Sequence, residues 1–108
     1  MTDAQVVKAL AALAQESRLK VFRYLVVAGP EGVTPGTLTE QLGIAPTSLS
    51  FHLKELTHAG LITQERSGRN LLYRADIEAM NGLVGFLTAN CCGGQACLPV
   101  ATVECSNC

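Results

Sequence analysis

No cysteine occurs before position 91, no lysine or arginine follows position 74, and nowhere do eighteen apolar residues run together. Without such a run a membrane-spanning helix is not expected. The N-terminus places Asp3 where a secretory signal would carry basic residues ahead of an apolar segment, so the protein is expected in the cytoplasm. Five cysteines, an odd number, without a secretory signal speak against a disulfide scaffold. Paired carboxylates, a Cys–His–acid set and a phosphate-binding glycine loop are also missing, and His52 and His58 lie far in sequence from the thiols. Neither an enzyme nor an organic cofactor is expected.

Charged residues make up only 16% of the chain and hydrophobic ones 48%, the balance of a folded protein rather than a disordered one. A length of 108 residues fits one domain with a modest core. Surplus apolar helices would therefore pack against a second copy. The net charge of −1 does not favour a nucleic-acid partner, but its distribution permits one. Residues 1–75 carry +2, whereas residues 76–108 hold three acids and no base.

The stretch Ala45–Gly60 organises the chain. Pro46 suits the first turn of a helix and Gly60 its stop. Leu49, Leu53 and Leu56 recur at i, i+4 and i+7, which makes one apolar stripe. Thr47, Phe51, Lys54 and His58 point the opposite way. Such a helix is suited to a DNA major groove, with Thr47, Ser48 and Ser50 as base or phosphate contacts. His52 borders the stripe and reads as a backbone or phosphate contact. Phe51 reads either as a thymine-methyl contact or as packing beneath a neighbouring element.

Upstream, Val6, Leu10 and Leu13 predict a helix over residues 3–14. Leu19, Phe22, Leu25 and Val26 predict a second that ends at Gly29-Pro30, with Arg18, Lys20 and Arg23 on a solvated face. Thr34-Pro35 starts a third, carrying Leu38 and Leu42 and stopped by Gly43. Two short helices joined by a tight glycine-containing turn are a helix-turn-helix signature. Residues 61–66 and 70–74 predict a hairpin, a wing directly behind the recognition helix. Arg69 at its tip would reach a minor groove or a phosphate, or stand as an exposed turn arginine. Asp76 caps a last helix bearing Ile77, Met80, Val84 and Leu87, in which Gly82 and Gly85 would permit close approach of another helix. The fold expected is mainly α with a β-hairpin wing, a winged helix-turn-helix of about five helices, homodimeric through the first and last of them. Residues 1–90 would form the DNA-binding and dimerisation domain, and residues 91–108 a flexible cysteine-rich tail.

Thiols crowded into the last eighteen residues of a cytosolic protein point to a soft metal or metalloid, or to redox chemistry. Two thiol-based alternatives stay open on the residues alone. One is a redox- or sulfide-responsive repressor of the same fold; the other, from a different class, is a zinc-binding adaptor using four of the five cysteines.

Several segments, in order, resemble the ArsR-type (ArsR/SmtB) metalloregulatory repressors. They are Leu13-Ala14-Gln15-Glu16-Ser17-Arg18-Leu19; Leu38 with Leu42-Gly43-Ile44; the run Ser48 to Leu56 with Ala59-Gly60-Leu61-Ile62; and Gly68-Arg69 with Tyr73. The resemblance spans residues 5–88. It implies a dimeric winged-helix repressor that leaves double-stranded operator DNA, an inverted repeat, when a metal or metalloid ion binds. Many arsenic sensors of this family carry a Cys-x-Cys pair in the third helix, and others use N-terminal cysteines; neither is present here. Zinc sensors place Asp and His ligands on the last helix, where this chain has Asp76 and Glu78 but no histidine. Some arsenic-responsive members use an adjacent cysteine pair with a third nearby, which implies Cys91, Cys92 and Cys97 as ligands and As(III) or Sb(III) as inducer. A soft trivalent acceptor suits three thiolates, and Gly93-Gly94 would let the backbone turn to converge them. Cys105 and Cys108 have chelating spacing too but read as an exposed tail pair.

Overall fold

In the computed structural model, which describes residues 1–90 and 93, five α-helices and one β-hairpin follow one another. Helix α1 (Asp3–Leu13) opens with a capping box: the Thr2 hydroxyl accepts the Gln5 amide, and the Gln5 side chain accepts the Thr2 amide. Helix α2 (Glu16–Ala28) begins at Gln15, whose side chain accepts the Arg18 amide. A short 3-10 turn (Gly29–Glu31) leads to α3 (Pro35–Leu42). Thr34 caps α3 ahead of Pro35, and Gly43 ends it in the left-handed conformation at φ 65°. Helix α4 (Pro46–His58) follows after only Ile44 and Ala45. It closes through a Schellman motif, in which the Leu61 amide donates to the Leu56 carbonyl and the Gly60 amide to Thr57.

Strands β1 (Ile62–Ser67) and β2 (Asn70–Ala75) pair antiparallel from Ile62↔Ala75 to Ser67↔Asn70, joined by the two-residue turn Gly68-Arg69. The opposite edge of β2 is held as well. Val33 and Tyr73 exchange two backbone hydrogen bonds of 2.9 and 2.8 Å. That approach needs Gly32, since a Cβ there would lie 3.2 Å from the Leu72 Cβ. The Arg74 Nε donates to the Pro30 carbonyl at 2.7 Å, and its guanidinium pairs with Glu65 at 3.1 Å. Asp76 accepts the Ala79 amide and so caps α5 (Ile77–Thr88). No helix among the described residues is long and apolar enough to cross a membrane.

The core gathers Phe22, Leu25, Leu38, Leu49, Leu53, Leu56, Leu61 and Ile62 under α1 and against Tyr73 and Leu83. Three expected faces hold in part: Val6, Phe22 and Leu25 are buried as expected, and Leu13, Val26 and Met80 pack against the core. In α1 the inward residues are Val6, Ala9 and Ala12, while Leu10 is exposed. In α2 Val21 is buried and Leu19 exposed. In α5 the buried residue is Leu83, while Leu87 is 58% exposed. Small side chains let α1 approach closely, so they take the contact that the larger leucines were expected to fill. Arg18 is not a solvated base either: its Nε donates at 2.7 Å to the Ala12 carbonyl, satisfying an end carbonyl of α1.

The buried stripe of α4 is Leu49, His52, Leu53 and Leu56. His52 is only 9% exposed, and its Nδ1 has no hydrogen-bond partner among the described residues. Burial first, and the nearby Arg18 charge second, hold its pKa below the usual 6.5. As pH falls through 6.5 the unfolded chain takes up a proton that the folded chain resists. Stability therefore declines until the folded pKa is passed, where the loss levels off. His52→Leu is expected to flatten this acid limb in urea titrations; an unchanged limb would place its origin elsewhere. Leu56→Ala, which empties a fully buried site, is expected to cost about 2–5 kcal/mol in the same measurement.

Candidate nucleic-acid interface

With its leucines turned inward, α4 sets Thr47, Ser48, Ser50, Phe51 and Lys54 outward, all exposed. The first two turns carry three hydroxyls and no acid, and Pro46 opens the helix without a side-chain cap. Phe51 is 56% exposed. Its one aromatic neighbour is the His52 ring, met edge-on at a centroid distance of 5.9 Å. Among the described residues it therefore does not pack beneath another element, which leaves the thymine-methyl contact as the expectation for it. His52 departs from the expected DNA-facing set: it lies inside the stripe, with its ring among the leucines.

Arg69 is exposed at the hairpin tip beside Gly68, whose φ of 63° suits the glycine-first turn of a tight hairpin. Between α4 and the hairpin lies a 210 Å³ cleft lined by Ser50, Lys54, Thr57, His58, Gln64 and Tyr73. Ser50, Lys54 and His58 were legible as part of the polar side of the helix. Gln64 and Tyr73 were not, because the pairing that brings them opposite α4 is set by the fold of the hairpin.

Elsewhere, α1 and α5 leave Met1, Val7, Leu10, Phe86 and Leu87 exposed. Gly82 of α5 lies against the Met1 side chain, at 3.5 Å from a Cβ placed on it, whereas Gly85 faces open space. Among the described residues no group of three or more His, Cys, Asp or Glu side chains converges to hold a metal ion. Asp76 is engaged as the cap of α5. Cys91, Cys92, Cys97, Cys105 and Cys108 lie outside the described residues. Directly before the pair, Asn90 has φ 57°, and Gly93 after it has φ 67°.

A helix-turn-helix domain family matches residues 13–65. The chain is 38% identical over 73 residues to the arsenical resistance operon repressor of Bacillus subtilis, covering 68% of each protein. It is 33% identical over 79 residues to a putative arsenical resistance operon repressor of Halobacterium salinarum, across 68% of this chain but only 60% of that relative's length. An ArsR-like transcriptional regulator from Rhodococcus sp. RHA1 superposes with a TM-score of 0.70 at 26% identity, over 78% of this chain and 76% of that one. These relatives are transcriptional regulators, not enzymes. The chain belongs to the ArsR family of DNA-binding helix-turn-helix transcriptional regulators.

Proposed function

We propose that the protein is a homodimeric repressor that leaves an inverted-repeat operator when arsenite or antimonite is taken up by Cys91, Cys92 and Cys97. The observation that carries this reading is the placement of α5. It packs on α1, the two helices leave large apolar side chains exposed, and its C-terminal end leads directly into the first two thiols. A second copy covering Val7, Leu10, Phe86 and Leu87 would remove that surface from water, with each side chain contributing about 1.5–3 kcal/mol when fully buried. Two-fold pairing of the α4 helices would then match two half-sites about one helical turn apart.

The donor set favours a three-coordinate soft ion. Three thiolates suffice for trivalent arsenic or antimony, whereas structural zinc would need a fourth ligand from Cys105 or Cys108. Left-handed φ values at Asn90 and Gly93 flank the adjacent pair. Residues 91–108 are thus read as a ligand-bearing tail on a DNA-binding and dimerisation domain formed by residues 1–90. Ligation would hold the end of α5 in one geometry and alter the spacing of the two reading heads. A coupling of about 1–3 kcal/mol, or roughly 5–150-fold in operator affinity, is typical of such linkage.

The test is fluorescence anisotropy on an inverted-repeat promoter duplex titrated separately with arsenite, zinc and peroxide. Arsenite should release the wild type. Cys97→Ser should bind DNA and resist release, and the Cys105→Ser/Cys108→Ser double variant should still respond. Unchanged release of Cys97→Ser would remove that residue from the ligand set. Release by peroxide alone, reversed by dithiothreitol, would replace the metalloid with thiol oxidation as the signal.

A further inference from the structure

We propose that the cleft between α4 and the hairpin seats the DNA backbone, holding phosphates of the strand that separates the major groove entered by α4 from the minor groove reached by Arg69. This rests on the DNA-binding reading above and adds His58 and Gln64 to the residues that grip the duplex.

The cleft has two walls of different origin. Along α4, Ser50, Lys54, Thr57 and His58 stand at i, i+4, i+7 and i+8, one face of the helix. At 1.5 Å per residue they span about 12 Å. The facing wall is Gln64 and Tyr73, which are direct cross-strand partners and so project from the same face of the hairpin. That wall is held in place before any ligand arrives, because the Tyr73 backbone is paired with Gln64 on one side and Val33 on the other.

The lining chemistry is that of an anion seat. Lys54 supplies an ammonium, Gln64 a carboxamide, His58 an imidazole and Ser50 a hydroxyl, with no carboxylate among the lining residues and the largely buried Tyr73 as part of the wall. The ammonium, carboxamide, imidazole and hydroxyl can all donate to phosphate oxygens. Thr57 is the exception: its hydroxyl donates to the Leu53 carbonyl at 2.7 Å, so it serves as wall rather than as donor. Geometry supplies the occupant. A helix in one groove and a hairpin tip in the next must straddle the sugar–phosphate ridge between the two grooves, and this cleft is the space between them. Contacts to that ridge fix register and orientation without reading sequence. Base reading is left to Thr47, Ser48 and Phe51 nearer the start of α4.

The experiment uses the full chain and a duplex selected in vitro by the wild type, alongside an unrelated duplex of equal length. Lys54→Gln, His58→Gln and Gln64→Met each alter an exposed side chain, and thermal unfolding checks that the fold is kept. Each should weaken both duplexes by the same factor, roughly tenfold. Lys54→Gln should also lower the slope of log K against log salt by about 1. A series of duplexes with one neutral methylphosphonate at successive positions gives the direct readout. At one position on the strand between the grooves, Lys54→Gln should cost nothing further. Full additivity at every position, or a loss confined to the selected duplex, would overturn the proposal while leaving DNA binding intact. Failure of the wild type to bind any duplex would overturn the DNA-binding reading itself.

Discussion

The rotation of α4 about its own axis is set by the burial of Leu49, Leu53 and Leu56, and what the protein offers to DNA follows from that setting. Each of these leucines is almost wholly enclosed. Turning the helix by one residue would bring Ser50, Lys54 and Thr57 under the core and set the leucines in water. Burying an unpaired ammonium costs several kcal/mol and exposing a leucine about 1.5–3 kcal/mol, so the competing orientation is excluded by a wide margin. His52 is the one polar group admitted to the stripe. Its burial, which lowers its pKa, makes that orientation sensitive to acid.

A continuous run of hydrogen bonds links the end of α4 to the start of α5. The Leu61 amide donates to the Leu56 carbonyl, the Asp76 amide donates to the Leu61 carbonyl at 2.8 Å, and the Asp76 carboxylate accepts the first turn of α5. At the other end of the core, Arg18 ties the close of α1 to α2 and stands near His52. Recognition helix, wing and the two outer helices are therefore one packed unit. On the proposed function, a small shift where α5 ends would reach the reading face through this packing, because close-packed side chains do not absorb it locally.

What was legible in the sequence is what short-range chemistry dictates. Thr34-Pro35 and Gly43 bound α3, Pro46 and Gly60 bound α4, Gly68 turns the hairpin and Asp76 starts α5, each through contacts within a few residues. The faces of α1 and α2 were legible only in part, at Val6, Phe22 and Leu25, because helical spacing ranks a face by the size of its apolar residues. The packing here prefers Ala9 and Ala12 to Leu10, and Val21 to Leu19. The Val33–Tyr73 bridge, the Arg18–Ala12 bond and the Arg74–Pro30 bond join distant or differently assigned segments, and no local pattern encodes them. Five of the residues on α4 expected to face DNA stand outward, whereas His52, one position from Phe51, falls inside; a single 100° step separates surface from core. The thiols were conspicuous by number and position, and their chemistry rests on the sequence alone.

The central claim is that metalloid uptake at the cysteines and the grip on DNA are one linked equilibrium. Linkage is reciprocal, so the most direct measurement is the arsenite affinity of the wild type, free and saturated with operator, by calorimetric titration under thiol-free reducing conditions. The expected result is weaker arsenite binding to the DNA-bound form, by the same factor by which arsenite weakens operator binding. Equal arsenite affinity in the two states would contradict it, even if arsenite binds tightly and the protein holds DNA well.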